Sequence, residues 1–331
     1  MRILASVQKI KNLEPIPDAQ QIEKATVLGW SVVVKKEEFK IGDLCVYVEI
    51  DSILPPKPEF DFLAKSKYRI KTIRLRGQVS QGICFPLSIL HGNDYAEGQN
   101  LTEILGVIKY EPPIPAQLAG KVKGEFPSFI PKTDEPRIQT CPEILEKYQN
   151  MEFYVTEKID GTSMTIFVKN GELEICSRRL LLAFDPENTY WKVVQELNLL
   201  EKLKLAEEKY AIQGELSGEG IQKNILKIHG QKLFVFNIYD FSSGKYLEWE
   251  KVKQICVDWN LETPPEIYKS LFLPKTVDKI ISLTTRKSAI NPDAWMEGLV
   301  FRPHKEIFDQ DLGRLSFKAV NPEFLLSYGE E

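Results

Sequence analysis

Side chains that build metal cages and covalent frameworks are scarce in this sequence of 331 residues, which has three histidines and five cysteines. The cysteines are odd in number, widely scattered and without a C-x-x-C pair, which argues against a disulfide framework and a zinc site. No apolar stretch exceeds the length of a strand, and the N-terminus lacks the apolar region of a signal peptide. We therefore expect a reduced, soluble protein with no membrane partner, in the cytoplasm, or in the nucleus if the source is a eukaryote.

An excess of positive charge is also lacking, because 43 basic and 47 acidic residues give a net charge of −4. A nucleic-acid-binding function would therefore need a local basic patch rather than a basic chain. Hydrophobic residues make up 43% and charged residues 27% of the sequence, which is typical of a globular protein. The length predicts two domains.

Three segments differ in their residue patterns. Residues 1–112 contain short Val- and Ile-rich stretches punctuated by turn residues, which predict a small β-barrel. Prolines spread over residues 113–150 predict a semi-rigid linker. In residues 151–331, strands interleave with helices over 189–209 and 245–260 without a βαβ rhythm, so we expect an α+β domain with antiparallel sheets.

The sharpest local feature is Lys158-Ile159-Asp160-Gly161, which follows an apolar strand. A lysine at a sheet edge could have a lowered pKa and act as a nucleophile. A free lysine has a pKa of about 10.4 and is therefore almost wholly protonated at neutral pH. The Asp-Gly pair is also typical of an ordinary surface turn, so this motif alone leaves both interpretations open.

Several other residues can each be interpreted either as part of the fold or as part of a chemical site. Glu215 precedes a Gly-rich loop that lacks a complete dinucleotide-binding or Walker motif. Phe234 and Phe236 share one strand face, where they could form core or stack on a base. Glu297 and Lys318 are lone charges in apolar strands, and they could pair with each other or flank a phosphate and a metal ion.

The order of these features resembles the motif series of covalent nucleotidyltransferases, which comprise the polynucleotide ligases and the capping guanylyltransferases. The matching elements are Lys158-x-Asp160-Gly161, Ser177-Arg178-Arg179, Glu215, the Phe236 strand, Glu297-Gly298 and Lys318. The strings G-E-L-x-G-x-G-I-Q-x-N and S-F-K-A-V-N-P are most similar to RNA ligases. With a β-rich half in front and few residues after Lys318, the layout resembles the fifth, Deinococcus-type family of RNA ligases.

This resemblance implies an α+β fold in which an N-terminal OB-type β-barrel over 1–112 binds nucleic acid. A linker over 113–150 and a nucleotidyltransferase domain over 151–331, with antiparallel sheets flanked by helices, would follow. It implies an ATP-dependent RNA ligase that seals 3′-OH/5′-phosphate nicks in RNA repair through lysyl-AMP and adenylylated-RNA intermediates. The alternatives are a DNA ligase, a capping-type guanylyltransferase, or a non-catalytic OB-containing RNA-binding protein.

The resemblance also implies roles for individual residues toward ATP and Mg²⁺ or Mn²⁺. Lys158 would be the nucleophile and Lys318 a second catalytic lysine. The residues implied to contact ATP are Glu157, Ile159, Arg178, Arg179, Glu215, Phe236 (with Phe234 as the alternative), Glu297 and Lys318. Asp160, Glu215 and Glu297 would hold the metal ion mostly through water. The metal ion and the second ammonium would favour the neutral, nucleophilic form of Lys158.

One position departs from the pattern of many ligases, which carry a lysine where this chain has Ser316. Serine can donate a hydrogen bond but carries no charge. Either Lys318 suffices, or a basic residue elsewhere, such as Lys223 or Arg314, supplies the missing charge.

The front domain has a basic signal of its own in residues 65–76. The basic residues are Lys65, Lys67, Arg69, Lys71, Arg74 and Arg76. The first four alternate with other residues, which predicts one charged strand face. Lysines that protect an edge strand from aggregation would give the same pattern, but next to a ligase domain a phosphate-binding face is the better interpretation. We expect a monomer whose partner is RNA, as a nicked duplex with a ribonucleotide 3′-OH end.

Overall fold

A computed structural model of the chain describes residues 3–90, 92, 94–111 and 121–329. Within these residues no helix is long and apolar enough to cross a membrane. The part before residue 112 is built almost entirely of short antiparallel strands, and the part after residue 120 combines two larger sheets with helices.

In its described residues, the front domain is a curled set of antiparallel strands with one short α-helix. The strands are β1 (Ala5–Pro15), β2 (Ile22–Val27), β3 (Trp30–Lys35), β4 (Leu44–Val48), β5 (Ser52–Ile53), β6 (Arg69–Ile70), β7 (Thr72–Leu75), β8 (Gln78–Gln81), β9 (Ile83–Pro86) and β10 (Ile108–Lys109). The helix is α1 (Thr102–Leu105), and 3₁₀ turns cover Pro58–Ser66 and Leu87–Ile89. The main sheet has the order β3-β2-β1-β4-β9. In β3, Trp30, Val32 and Val34 alternate into the core, as a half-buried strand requires.

The second domain contains thirteen strands among its described residues. They are β11 (Val122–Glu125), β12 (Glu152–Lys158), β13 (Thr162–Lys169), β14 (Glu172–Cys176), β15 (Leu180–Leu182), β16 (Tyr210–Gly218), β17 (Gln231–Asp240), β18 (Lys245–Tyr246), β19 (Glu266–Phe272), β20 (Gly298–Pro303), β21 (Phe308–Asp309), β22 (Gly313–Arg314) and β23 (Phe317–Val320). One sheet has the order β11-β15-β14-β13-β16-β17-β18, and the other has the order β19-β12-β20-β23.

Helices flank these two sheets, as the sequence predicts for an α+β domain. They are α2 (Ile144–Lys147), α3 (Thr189–Glu196), α4 (Leu199–Leu205), α5 (Trp249–Asp258), α6 (Val277–Thr284) and α7 (Pro322–Tyr328), with a 3₁₀ turn at Ile138–Thr140. The single helix predicted over 189–209 is wrong, because Asn198 adopts a left-handed conformation (φ 52°) and separates α3 from α4. Asparagine tolerates that conformation better than most residues.

The two sheets meet where the chain passes from β12 to β13 through residues 159–161. A Cβ atom on Gly161 would collide with the carbonyl oxygen of Leu216, so only glycine permits this close crossing. Ser217 Oγ donates a hydrogen bond of 2.7 Å to the carbonyl oxygen of Asp160 and fixes the crossing from the other side. The crossing places the end of β12, at the half-buried Lys158, between the sheets.

Residues 121–150 do not form the proline-rich linker that the sequence predicts. β11 pairs with β15 at the edge of the large sheet, and Ile138, Ile144 and Leu145 are buried in the same core as Phe153. Proline fixes an extended backbone, but the apolar residues between the prolines still pack. The remainder of the predicted linker, residues 113–120, lies outside the described residues.

The last helix of the second domain packs into the core of the front domain. Phe324 and Leu325 of α7 and Val320 of β23 belong to the same buried cluster as the barrel residues, and Arg74 of β7 forms an ion pair with Glu323. The two domains therefore share apolar packing at this junction.

We expect Phe324→Ala to lower the free energy of unfolding by about 3–5 kcal/mol, the usual range for removing a buried phenylalanine. Phe324 is 5% exposed. Leu205→Ala is the control, because that helix residue is 86% exposed and its truncation should change little. Urea denaturation measures both. Equal stability of the two variants would contradict a shared core at α7.

Candidate active site

A cleft of about 1490 Å³ lies between the two sheets of the second domain and reaches the front domain. Its lining includes residues from β12, β16, β20 and β23, the segment 133–137, and Lys109 of β10. Most residues that the sequence analysis singled out in the second domain face or border this one cleft.

Lys158 stands at the end of β12, opposite Gly298 of β20, and its Nζ lies 2.6 Å from the Glu297 carboxylate. Burial by itself lowers the pKa of Lys158, but Glu297 and Glu215 outweigh burial and raise this pKa above its ordinary value. In the free protein Lys158 is therefore a protonated ammonium held by Glu297. The lowered pKa expected from the sequence is not present in this state, because the neighbouring carboxylates stabilise the positive charge.

Glu215 projects from β16 toward Lys158. The pKa of Glu215 is raised to about 8, because burial and the nearby Glu297 and Asp160 together outweigh the opposing charge of Lys158. The single ammonium does not neutralise this group of carboxylates. Hard divalent cations prefer such oxygen donors, so these three carboxylates fit the metal role that the sequence predicts.

Direct coordination by all three carboxylates is not what the geometry offers. Among the residues that the structure describes, no group of three or more His, Cys, Asp or Glu side chains is placed to hold a metal ion directly. An ion that keeps part of its water shell can still be held at longer range, as Mg²⁺ usually is. Binding mostly through water stays a prediction for Asp160, Glu215 and Glu297.

Lys318 faces the cleft from β23, where it pairs with Val300. Its backbone N–H donates to the carbonyl oxygen of Pro136 at 2.8 Å. Burial, followed by the charges of Lys158 and Arg137, lowers the pKa of Lys318 to about 7. Its ammonium has no hydrogen bond or ion pair with any described residue. The Lys318–Glu297 pair that the sequence left open does not form, because Glu297 binds Lys158.

Phe236 and Phe234 differ in their accessibility. Phe236 is half-buried and lines the cleft, whereas Phe234 is 3% exposed and packs with Ile159, Leu226 and Ile228. Phe236 is therefore the ring that a nucleobase could reach. Ile159 is equally buried, so a ligand could contact only its backbone.

Glu157 also turns its side chain away from a ligand. It is 1% exposed, and its Oε2 accepts a hydrogen bond of 2.8 Å from the backbone N–H of Ala289. Burial raises the pKa of this carboxyl. Glu157 is among the residues that line the cleft, and a ligand contact through its backbone stays a prediction.

Arg178 and Arg179 border the cleft between β14 and β15. Arg178 forms an ion pair with Asp134, and Arg179 forms one with Glu111. Both guanidinium groups thus carry carboxylate partners in the protein alone.

The single basic strand face predicted over residues 65–71 is wrong. Lys65 lies in the 3₁₀ turn Pro58–Ser66, and Lys67 and Tyr68 are left-handed (φ 53° and 61°), which breaks the alternation. Arg69 is 9% exposed, with its guanidinium 3.3 Å from the ring centroid of Tyr110. The more exposed basic residues of this region are Lys65, Lys67, Lys71, Arg74 and Arg76. A role for them in nucleic-acid binding stays a prediction.

Two arginines that the sequence analysis did not single out lie in the cleft. Arg137 forms an ion pair of 2.9 Å with Asp51 of the front domain, and its backbone forms a parallel bridge with Lys318. Arg302 of β20 is 3% exposed and pairs with Glu135 at 2.8 Å. The sequence did contain a signal for Arg302, because it is a lone arginine among the apolar residues of β20.

Arg302 also contacts Ser316, the position at which many ligases carry a lysine. Its Nε donates a hydrogen bond of 3.0 Å to Ser316 Oγ. Of the two candidates named from the sequence, Lys223 lies elsewhere, because its Nζ donates to the carbonyl oxygen of Tyr328. Arg314 pairs with Glu306, and its charge also acts on Glu135. The positive charge nearest to the serine is therefore that of Arg302.

A family model described as RNA ligase matches residues 151–320, the part of the chain that carries Lys158, Glu215, Glu297 and Lys318. The chain belongs to the RNA ligase family. A second model, described as an OB-fold domain, matches residues 4–87. Together they confirm the predicted family, the OB-type barrel and the α+β class, and they favour RNA ligase over the DNA ligase, capping and non-catalytic alternatives.

Solved structures of an RNA ligase from Naegleria gruberi are similar to this RNA ligase over nearly its whole length. A variant with ATP and Mn is 34% identical, with a TM-score of 0.88 over 97% of this chain and 98% of that chain. The ligase with PPi is 35% identical, with a TM-score of 0.88 over 98% of both chains. None of the curated proteins compared matches the chain.

Proposed function

We propose that this RNA ligase uses ATP and a divalent cation to join RNA ends through a covalent lysyl-AMP intermediate. The observation that carries the proposal is the placement of Lys158 in the cleft, 2.6 Å from Glu297, with Glu215 and the unpaired Lys318 nearby. The similar Naegleria gruberi structures with ATP and Mn, with AMP and Mn, and with PPi support the choice of nucleotide and metal.

The first step forms a bond between Lys158 Nζ and the α-phosphorus of ATP and breaks the bond from that phosphorus to the leaving pyrophosphate oxygen. The ammonium must lose a proton first, and in the free enzyme it donates a hydrogen bond to the Glu297 carboxylate. When bound, the divalent cation supplies positive charge that favours the neutral amine and polarises the phosphate. Glu215, Glu297 and Asp160 would hold it.

Two further transfers complete the reaction. An oxygen of the RNA 5′-phosphate attacks the AMP phosphorus, and the bond from that phosphorus to Lys158 breaks. The 3′-OH then attacks the RNA 5′-phosphorus, and AMP leaves. Lys318 would neutralise phosphate charge during these steps, and Phe236 would stack on adenine.

Incubation of the wild-type protein with α-labelled ATP or GTP and Mn²⁺ tests this proposal directly. We expect a covalent label from ATP on a denaturing gel, and its release as AMP when a 5′-phosphate nick is added. A label from GTP would instead indicate a capping-type enzyme, and no label would indicate a protein without nucleotidyl transfer.

We further propose that the physiological substrate is a nicked duplex with ribonucleotides at the 3′-OH end, sealed in RNA repair by a monomer in the cytoplasm or, in a eukaryote, the nucleus. The 2′-OH is the group that distinguishes RNA from DNA at a given site. Exposed basic residues of the front domain, such as Lys67, Lys71 and Arg76, would bind phosphates of the duplex.

Nicks that differ only in the terminal sugars should show this selectivity. We expect sealing when the last nucleotides on the 3′-OH side are ribose and the 5′-phosphate side is DNA, and weak sealing of the reverse arrangement. Sealing should also fall steeply with salt, because phosphate contacts release counterions. Equal sealing of an all-DNA nick would contradict the ribose requirement, and sealing of single strands alone would contradict the nick substrate.

A further inference from the structure

The β7–β8 hairpin of the front domain forms a two-stranded sheet of its own. Its base is anchored on the barrel. Ser80 Oγ accepts a hydrogen bond of 2.9 Å from the backbone N–H of Val33, and the Tyr47 hydroxyl donates one of 2.9 Å to the carbonyl oxygen of Gln81. Its tip stands free, because a Cβ atom on Gly77 would meet no residue within 4 Å beyond its two chain neighbours. The hairpin therefore projects from the barrel on a fixed base.

The tip of the hairpin carries an unusual residue for its conformation. Arg76 and Gly77 lie between the paired strand ends Leu75 and Gln78, and both have positive φ (47° and 83°). Two positive φ angles are typical of a type I′ turn, in which Asn-Gly is a preferred pair. An arginine in the left-handed region costs energy that an asparagine would largely avoid. Such strain is concentrated at functional positions, which makes Arg76 a candidate for function.

Two apolar side chains next to this arginine are exposed. Ile73 and Leu75 are 45% and 39% exposed, and alternation along β7 places them on the same strand face. Arg74 lies on the opposite face, where it pairs with Glu323 of α7. One face of β7 thus contributes to the domain junction, and the other is open to a partner.

The charge of this region indicates the class of that partner. Residues 62–90 contain six lysines and arginines and no aspartate or glutamate, although the whole chain has a net charge of −4. Lys71 and Arg76, at the two ends of β7, are exposed. A basic segment without acidic residues complements a polyanion. Apolar side chains between the cations favour a polyanion that also offers sugar surfaces, which is nucleic acid.

The hairpin also lies beside the active-site cleft. β7 packs against α7, and Phe324, Leu325 and Tyr328 of α7 line the cleft. A helix with its side chains is about 10–12 Å across, so the hairpin is separated from the cleft by one helix. RNA that extends from the cleft can therefore reach the hairpin.

We propose that the β7–β8 hairpin binds the minor groove of the RNA duplex beside the nick, with Arg76 on the phosphates and with Ile73 and Leu75 against the riboses. The minor groove of A-form RNA is wide and shallow, and proteins recognise it mostly by its shape, its phosphates and its 2′-hydroxyls. An anchored hairpin matches this fixed surface, which a single strand does not offer. This inference rests on the proposed ligase function, and it assigns the preference for a duplex to the front domain.

Fluorescence anisotropy with a labelled nicked RNA duplex, and with one of its strands alone, tests the hairpin in the full chain. The test variants are Arg76→Asn and the double variant Ile73→Ser/Leu75→Ser. The matched controls are Lys251→Asn and Val257→Ser on α5, where both residues are exposed and no residue lines the cleft.

We expect Arg76→Asn to raise the Kd of the duplex by about tenfold, the scale of losing one charge-assisted contact. It should also reduce the slope of log Kd against log salt by about one. Ile73→Ser/Leu75→Ser should weaken duplex binding without changing the salt slope, because it removes no charge. The Kd of the single strand should stay close to the wild-type value in both variants, and the α5 controls should match the wild type throughout.

Thermal unfolding separates a loss of binding from a loss of fold. Arg76→Asn should not lower Tm, because asparagine suits a type I′ turn better than arginine does. This variant therefore decides the question even if the double serine variant is unstable. Wild-type duplex binding by Arg76→Asn would overturn the proposal. An equal loss for the duplex and the single strand would also overturn it, because the hairpin would then be a general phosphate contact.

These binding measurements require no catalysis, so they separate the hairpin from the ligase assignment. Absence of an AMP adduct in the wild type would contradict the proposed function and leave the duplex measurement valid. The apolar face could instead bind a second copy of the chain. In that case the wild type would self-associate, Ile73→Ser/Leu75→Ser would abolish the association, and both hairpin variants would bind the duplex normally, which would exclude the RNA role.

Discussion

Lys158→Met is expected to remove covalent AMP labelling almost completely, by about 10⁴-fold or more, because loss of a nucleophile removes the group that forms the bond. Methionine keeps much of the length and volume of the side chain but has no amine. Sealing of a strand that is already adenylylated should persist, because that step forms no bond to Lys158. The same variant therefore separates the first step from the last.

Two controls make this result interpretable. Lys204→Ala removes an exposed lysine of α4 and should label like the wild type. Thermal unfolding must show that Lys158→Met is folded, because the change leaves the half-buried Glu297 without its ammonium partner. Persistent labelling of a folded Lys158→Met protein would show that another lysine accepts AMP.

The site residues of the second domain were accessible from sequence because short strings around each one mark its position. Lys158, Glu215, Glu297 and Lys318 occur in an order that resembles a known motif series, and the structure brings all four to one cleft. The pairing of the strands that carry these residues could not be predicted from the sequence. Strand register aligns Lys158 with Gly298 and Lys318 with Val300, and the alternation within one strand holds no information on the alignment of two.

Contacts between distant segments account for the other differences. Residues 121–150 resemble a linker because their prolines are local, whereas β11 gains its strand partner from β15. The left-handed residues Lys67 and Tyr68 break the predicted basic strand without a glycine or asparagine to announce the turn. Lys109 and Arg137 could be placed in the cleft only after the two domains were brought together.

Lys318→Met should slow AMP labelling by about 10²–10³-fold, the usual effect of removing one group that stabilises transition-state charge. Lys318 is suited to that task because its ammonium faces the cleft with no carboxylate bound to it among the described residues. A bound phosphate would give the Lys318 ammonium the counterion that the described residues do not provide. Its burial makes the interaction strong, since little water screens it.

The pH dependence gives this role a sharper test. Because the pKa of Lys318 in the free protein is about 7, the side chain is charged below that pH and increasingly neutral above it. Phosphate binds the charged form, so affinity for ATP should fall as pH rises through 7, and bound phosphate should raise this pKa. Lys318→Arg stays charged over the whole range and should lose that part of the dependence.

The ratio of the ATP KM of the wild type to that of Lys318→Arg, measured from pH 6 to 9, isolates this titration. Protonation of ATP, Glu215 and Lys158 affects both proteins and largely cancels in the ratio. We expect the ratio to increase above pH 7, approaching about tenfold per pH unit if the lysine must be charged for binding. A ratio that stays flat while Lys318→Met remains slow would place the action of Lys318 after ATP binding. Wild-type labelling by Lys318→Met would remove Lys318 from the catalytic machinery and point instead to another cation of the cleft, such as Arg137.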